Sequence, residues 1–222
     1  MPIPPLESFR RLRDGNRRFI DNLREPENLH LSDHQRAAMA LSQEPHAIVL
    51  GCSDSRAPAE LIFDQGLGDL FVIRVAGNIV APSQIGSVEF AAAQFHTRLV
   101  VVLGHTQCGA VRASLDHFRR DSRSPSPNIR FIVQRVGKAI AQIYADGGES
   151  EPGELLKKAV RANVRASCHK LRHGSAVLQR LIKNDGLVVV GAEYSIETGA
   201  VDFFDGLPAA WTAEGSPAGP LE

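Results

Sequence analysis

The sequence predicts an α/β fold. It has a mostly parallel central sheet of four strands, one antiparallel strand near the carboxyl terminus, helices on both faces of the sheet and a helical arm at the amino terminus. Short, wholly apolar runs of strand length alternate with longer segments of helical periodicity, which is typical of a parallel sheet covered by helices. The last two apolar runs are joined by a short turn around Gly199, which favours an antiparallel pair.

The amino-terminal helix is predicted over residues 6–22, where apolar side chains recur at helical spacing, although Gly15 weakens the helix. The five strands are predicted from their continuous apolar runs, at residues 46–51, 70–75, 98–104, 187–191 and 201–204. The longer helices are predicted from their periodicity, at about residues 84–96, 107–118, 129–145, 154–171 and 175–183. We expect Ser83 to cap the first of these longer helices.

The chain has 222 residues with no internal repeat and no recognisable linker, so we predict a single domain over residues 1–222. Residues 213–222 are rich in Pro and Gly, and we expect this tail to be disordered.

Charge and cysteine content favour a cytoplasmic protein with no nucleic-acid and no membrane partner. Lys plus Arg number 25 and Asp plus Glu number 25, whereas a nucleic-acid-binding protein usually needs a basic surface. No apolar stretch is long enough to span a membrane, and the first residues lack the pattern of a secretory signal. The 3 cysteines do not suggest a disulfide framework, and a reducing compartment would keep them as thiols.

Candidate metal ligands follow two of the predicted strands. Cys52 comes directly after the first strand, and His105 and Cys108 follow the third. Because ligands of open α/β sheets lie at the carboxyl ends of the strands, these three side chains can converge there. Two thiolates and an imidazole suit zinc, and a catalytic zinc site keeps its fourth position open. The alternative is that each Cys is a small buried apolar residue, and we favour it for Cys168, which lies in a helical run.

Asp54 and Arg56 follow Cys52 at alternate positions of the same segment. On an extended backbone, all three side chains point to the same side. Asp54 could therefore become a fourth metal ligand, whereas a two-oxygen pair with Arg56 would pull the carboxylate off the metal. A simple structural ion pair is the alternative interpretation.

The motif Cys-Ser-Asp-Ser-Arg at 52–56, together with His-Thr-Gln-Cys-Gly at 105–109, resembles the zinc site of the β-class carbonic anhydrases. Further parts of the chain resemble the same family, namely residues 15–19, 71–78, 163–164 and 191–203. The resemblance covers about residues 6–204. It implies a zinc enzyme that reversibly hydrates carbon dioxide to bicarbonate and a proton by means of a zinc-bound hydroxide. It also implies a homodimer or tetramer with the active site at the subunit interface.

The resemblance assigns further roles to individual residues. Asp54 and Arg56 match the catalytic pair of the family, Gln43 matches an amide that orients the substrate, and the Gly109 N–H matches a second substrate donor. Judged by itself, Gln43 is an ordinary polar residue near a helix end, and Gly109 indicates only a close approach of the backbone. In the family, the amino-terminal helix lies across a partner subunit, which would cover the apolar stripe predicted at residues 6–22.

Two other functions are compatible with the same motifs. One is an enzyme with the same site that hydrolyses carbonyl sulfide or carbon disulfide, which pocket width and access would distinguish. The other is a non-enzymatic zinc-binding scaffold. No Cys or His is available at ligand spacing to fill the fourth position, and this open position favours catalysis.

Overall fold

A five-stranded sheet forms the centre of the computed structural model, which describes residues 3–24, 36–37, 39–120, 126–147 and 151–212. The strands are β1 (Ala47–Gly51), β2 (Leu70–Arg74), β3 (Leu99–His105), β4 (Val188–Tyr194) and β5 (Val201–Asp205). Their order in the sheet is β2-β1-β3-β4-β5. The first four strands run parallel and β5 runs antiparallel to β4, so the predicted fold class is confirmed. The predicted tail at 213–222 lies outside the described residues.

The helices are α1 (Pro5–Ile20), α2 (Ala59–Ile62), α3 (Pro82–Gln94), α4 (Gly109–Arg120), α5 (Pro127–Gly147), α6 (Pro152–His173), α7 (Ala176–Asn184) and α8 (Ala209–Thr212). The cap predicted at Ser83 is wrong, because α3 begins at Pro82, whose fixed φ suits the first helical turn. The Gln84 side chain accepts a hydrogen bond from the Ala81 N–H at 3.2 Å instead. In the part of the chain that is described, no helix has the length and apolar character to cross a membrane.

Apolar side chains cover both faces of the sheet. The side chain of Val49 on β1 packs on one face with α1, α2 and α8, and its neighbours Ile48 and Leu50 pack on the other with α3, α6 and α7. This alternation follows from the period of two residues in a strand. A third apolar cluster fills the space among α4, α5 and α6, next to the carboxyl ends of β1 and β3. Every residue of β1 and β3 is buried, which explains their uninterrupted apolar sequences.

The chain itself buries part of the apolar stripe of α1, whereas Ile20 and Leu23 are exposed. Phe9 and Leu12 are buried against the first face of the sheet. The Asn16 amide donates hydrogen bonds to the carbonyls of Ile62 (3.1 Å) and Gly199 (2.9 Å) and accepts one from the Val201 N–H (2.9 Å). The expectation that this stripe lies across a partner subunit is therefore wrong for Phe9 and Leu12, because the chain buries both itself.

Gly15 allows α1 to approach α2 closely. A Cβ atom at this position would lie 1.8 Å from the carbonyl oxygen of Phe63, a backbone atom that cannot rotate away. The glycine that weakens the helix in isolation is thus required by its packing. Gly86 offers the opposite case within α3, because a Cβ atom there would meet nothing within 4 Å.

We expect Gly15→Ala to destabilise the protein by about 2 kcal/mol or more, because overpacking at Phe63 outweighs the gain of about 1 kcal/mol that Ala gives a helix. Gly86→Ala should instead stabilise the protein by about 0.5–1 kcal/mol. Urea unfolding of both variants measures the two free energies of unfolding. Equal effects of the same sign would contradict the close approach of α1 to Phe63.

Candidate metal centre

The three predicted metal ligands converge at the carboxyl ends of β1 and β3. Cys52 follows β1 directly, His105 is the last residue of β3, and Cys108 immediately precedes α4. The two strands are neighbours in the sheet, with Gly51 opposite Leu103. One ligand atom from each of the three side chains lies within 4.8 Å of the others, and all three residues are buried.

The His105 ring is oriented to offer one nitrogen to a metal. Its Nδ1 lies 2.8 Å from the Thr106 carbonyl oxygen, which requires a proton on Nδ1. The Nε2 atom therefore carries the lone pair, and it is buried with no hydrogen-bond partner among the described residues. A buried imidazole with a backbone bond on one nitrogen and a free lone pair on the other is the usual arrangement of a histidine that binds a metal.

The two thiols of the cluster shift each other's pKa in opposite directions, and Cys108 is the one that holds its proton more tightly. The pKa of Cys52 is lowered to about 4, chiefly because the adjacent Cys108 thiol can donate a hydrogen bond to its sulfur. The same contact, together with burial, raises the pKa of Cys108, although backbone N–H groups at the start of α4 act in the opposite direction. A cation that binds both sulfurs must displace that proton. Two thiolates and one neutral imidazole fit zinc and leave a fourth position for a reacting molecule.

Asp54 is paired with Arg56 beside this cluster. Its Oδ1 accepts hydrogen bonds from the Arg56 Nε at 2.9 Å and the Arg56 backbone N–H at 3.0 Å, and its Oδ2 accepts one from Nη2 at 2.8 Å. Oδ2 is also 3.8 Å from the His105 Nε2. The hydrogen bond from Arg56 holds the pKa of Asp54 well below its usual value, so the carboxyl is ionised at neutral pH.

Known proteins resemble the chain over most of its length. The family model described as carbonic anhydrase matches residues 47–201. The chain is 36% identical over 195 residues to carbonic anhydrase 2 of Mycobacterium tuberculosis, which covers 88% of this chain and 90% of that protein. It is also 36% identical over 200 residues to the carbonic anhydrase of Mycolicibacterium smegmatis. This match covers 89% of this chain and 92% of that protein.

Solved structures resemble the fold. The β-carbonic anhydrase CafA of Aspergillus fumigatus superposes with a TM-score of 0.71 at 25% identity, over 81% of this chain and 86% of that one. The chain belongs to the β-carbonic anhydrase family. Its members use zinc and hydrate carbon dioxide, so the predicted family, enzyme activity and cofactor are confirmed. The β-carbonic anhydrase CcaA also shares the fold, with a TM-score of 0.71 at 24% identity, over 90% of this chain and 93% of that one.

Two residues that the sequence did not connect with the metal site hold its loop in this member of the family. The Arg74 guanidinium, at the end of β2, donates to the carbonyl oxygens of Cys52 at 3.0 Å and of Asp54 at 2.6 Å. The Gly77 N–H donates to the Cys52 sulfur at 3.3 Å. The sequence indicated only that an arginine stands at the end of a strand. Its contact with the ligand loop depends on the register of β2 with β1, which sets Arg74 opposite Gly51.

The structure does not bring Gln43 to the cluster of its own chain. Gln43 is exposed and precedes the amino end of β1, whereas Cys52 follows the carboxyl end, and five strand residues span roughly 17 Å. Gly109 does lie at the cluster, as the first residue of α4, where its N–H has no acceptor within the helix. A Cβ atom at Gly109 would meet nothing within 4 Å, so no close approach of the chain requires this glycine.

Cys108→Ala should lose most of the bound zinc, because the two remaining ligands bind the metal far more weakly than three do. Metal analysis by inductively coupled plasma mass spectrometry, on protein purified with zinc, measures the change. Cys168→Ala is the matched control, because Cys168 is buried in the core between α6 and the sheet and its pKa is raised to about 12 by burial. Full zinc content in Cys108→Ala would rule out the assigned cluster.

Proposed function

We propose that Cys52, His105 and Cys108 hold the zinc of a carbonic anhydrase, and that Asp54 and Arg56 are its catalytic pair. The observation that carries the proposal is the buried His105 Nε2, whose free lone pair lies among two thiols and the ionised Asp54 carboxylate. The reaction joins water and carbon dioxide to give bicarbonate and a proton. The ionised Asp54–Arg56 pair beside the three candidate ligands favours catalysis, because a zinc site that only stabilises a scaffold does not require such a pair.

The Asp54 carboxylate orients the attacking water. Zinc, when bound, acts as a Lewis acid that makes a coordinated water acidic enough to be a nucleophile near neutral pH. Oδ1 accepts two bonds from Arg56 and Oδ2 accepts one, so Oδ2 would offer the remaining acceptor position to a water at the cluster. This hydrogen bond directs a lone pair of the nucleophile towards the substrate carbon. Because Arg56 holds the pKa of Asp54 low, the carboxylate would accept this hydrogen bond and remain ionised, while the other proton of the water is the one released in the reaction.

Arg56 keeps Asp54 available for this role. A carboxylate that makes a two-oxygen pair with a guanidinium cannot bind a metal in the same pose. In the structure the pair is formed, and the carboxylate is turned towards Arg56. Without Arg56, Asp54 would be an anion next to a dication and would become the fourth ligand in place of the reacting molecule.

Arg56→Ala should therefore leave the protein loaded with zinc but lower kcat/KM by roughly 100-fold. Arg56→Lys should restore little of the activity, because an ammonium group lacks the planar fork of a guanidinium. Asp54→Ala should lose a similar factor, since the nucleophile loses its acceptor. Stopped-flow carbon dioxide hydration and zinc content are measured on the same samples, with Arg98→Ala, at the opposite end of β3, as the control.

Near-native turnover of Arg56→Ala would mean that the pair is only a structural ion pair. Native protein assayed in parallel with carbonyl sulfide and carbon disulfide distinguishes the hydration of carbon dioxide from the hydrolysis of those compounds. Zinc-loaded native protein that is inactive on all three substrates would favour a scaffold.

We also propose that Gln43 completes the site of a partner subunit, in a homodimer or tetramer, and that it holds a substrate oxygen together with the Gly109 N–H. Its position at the far end of β1 supports action on a second copy, and the neighbouring Leu41 is 90% exposed, as suits a contact between subunits. A solved structure that matches 77% of this chain at 24% identity comes from Sordaria macrospora, and its description names two tetrameric β-carbonic anhydrases.

Mixing Gln43→Ala with Cys108→Ala tests this arrangement. Each variant should be nearly inactive by itself, whereas subunit exchange should restore about a quarter of the native activity, because half of randomly paired dimers are mixed and each has one complete site. If Gln43 served its own chain, every site in the mixture would lack one residue and no activity would return. A monomeric mass by light scattering would also contradict the proposal.

We propose a cytoplasmic location, since the assigned site uses two thiolates that a reducing compartment preserves. The three cysteines are all free thiols in the structure. Cell fractionation is expected to recover the zinc-loaded protein with cytoplasmic markers, and recovery from an oxidising compartment would contradict this location.

A further inference from the structure

A chain of contacts connects α6 with the sulfur of Cys52. The Gly77 N–H donates to the Cys52 Sγ at 3.3 Å, and the Gly77 carbonyl oxygen accepts a hydrogen bond from the Asn163 Nδ2 at 2.7 Å. Asn163 is buried, with 3% of its surface exposed. We propose that Asn163 is a positioning residue for the metal, which keeps the Gly77 N–H on the sulfur. This inference rests on the proposed role of Cys52 as a zinc ligand.

Gly77 has a backbone conformation that its surroundings select. It has a φ of +69° within the short 3-10 turn Ala76–Asn78, a conformation that favours glycine. A Cβ atom would lie 3.0 Å from the Ala110 Cβ and 3.3 Å from the Val136 Cγ2, so packing also selects glycine here. Because glycine has the greatest backbone freedom of all residues, a hydrogen bond to its carbonyl oxygen further limits the direction of its N–H. Asn163 restrains the carbonyl side of the same residue.

A hydrogen bond to a ligating thiolate changes what the metal can do. It withdraws negative charge from the sulfur, so the metal stays more electrophilic than two unmodified thiolates would leave it. It also fixes the direction of the sulfur lone pairs. Loss of the bond should therefore weaken the metal site and alter the electronic transitions between sulfur and metal, without removing a ligand.

The chain offers a matched control on the next turn of α6. Ser167 is also buried, and its Oγ donates to the carbonyl oxygen of Asn78 at 2.9 Å. Asn163 and Ser167 thus hold adjacent residues of one turn from one helix. Of the two, Asn163 binds the residue whose N–H contacts the sulfur. A general loosening of the turn should affect both variants, whereas a role in orienting Gly77 should affect Asn163 variants alone.

The experiment uses the full chain loaded with Co²⁺ in place of zinc, because cobalt bound to thiolate absorbs light by transfer of charge from sulfur to metal. Asn163→Ala should move this absorption band to longer wavelength, since a thiolate without its hydrogen bond gives up charge more readily. It should also lower the affinity for Co²⁺ by about 10-fold. Ser167→Ala should leave the band position and the affinity unchanged. Asn163→Leu, which keeps the number and branching of the side-chain heavy atoms but cannot donate, should reproduce the effect and replaces Asn163→Ala if that variant unfolds.

An unchanged band in both Asn163 variants would overturn the inference, and so would equal shifts in the Asn163 and Ser167 variants. Thermal melting followed by circular dichroism confirms that each compared variant is folded. Absence of the sulfur-to-cobalt band in the unmodified protein would overturn the assignment of Cys52 and Cys108 as ligands, and with it this inference. A shifted band in the Asn163 variants, with full activity in Ser167→Ala, supports both.

Discussion

The parallel pairing of β1 with β3 is the constraint on which the metal centre depends. The chain runs from β1 to β2 on one side and returns to β3 on the other, so a cleft opens between the carboxyl ends of β1 and β3. Cys52 and His105 leave these strands side by side, in the register that sets Gly51 opposite Leu103. A slip of one residue would turn the side chains of one strand to the opposite face and separate the ligands.

Negative charge at this cleft is balanced by donors from several elements. Arg56 holds the Asp54 carboxylate, Arg74 holds the carbonyls of the ligand loop, and the Gly77 N–H contacts the Cys52 sulfur. The Cys52 thiolate and the Asp54 carboxylate lie in one largely buried place, and hydrogen bonding to their charged forms offsets their mutual repulsion. These contacts, which protein groups alone make, hold the ligand loop in place.

Local sequence patterns predicted most of the strands and helices. Continuous apolar runs indicated β1 and β3, since a strand buried on both faces admits little else, and their positions agree with the structure to within a residue or two. The predicted starts of two helices differ from the structure, because backbone conformation and not apolar periodicity sets where these helices begin. The helix expected from residue 107 begins at Gly109, because Gln107 has a φ of +57°, and the cap expected at Ser83 was displaced by Pro82.

The sequence by itself determined the fold class, the clustering of Cys52, His105 and Cys108, and the Asp54–Arg56 pair, because these depend on short spacings at strand ends that parallel pairing must bring together. Tertiary structure decided the rest. It buried Phe9 and Leu12 of α1 within the chain and placed Gln43 far from Cys52. It also directed Arg74, Gly77 and Asn163 to the loop that carries Cys52. Such contacts join residues far apart in the chain, 86 positions for Asn163 and Gly77 and 183 for Asn16 and Gly199. Strand order and register determine these contacts, and no local sequence pattern contains that information.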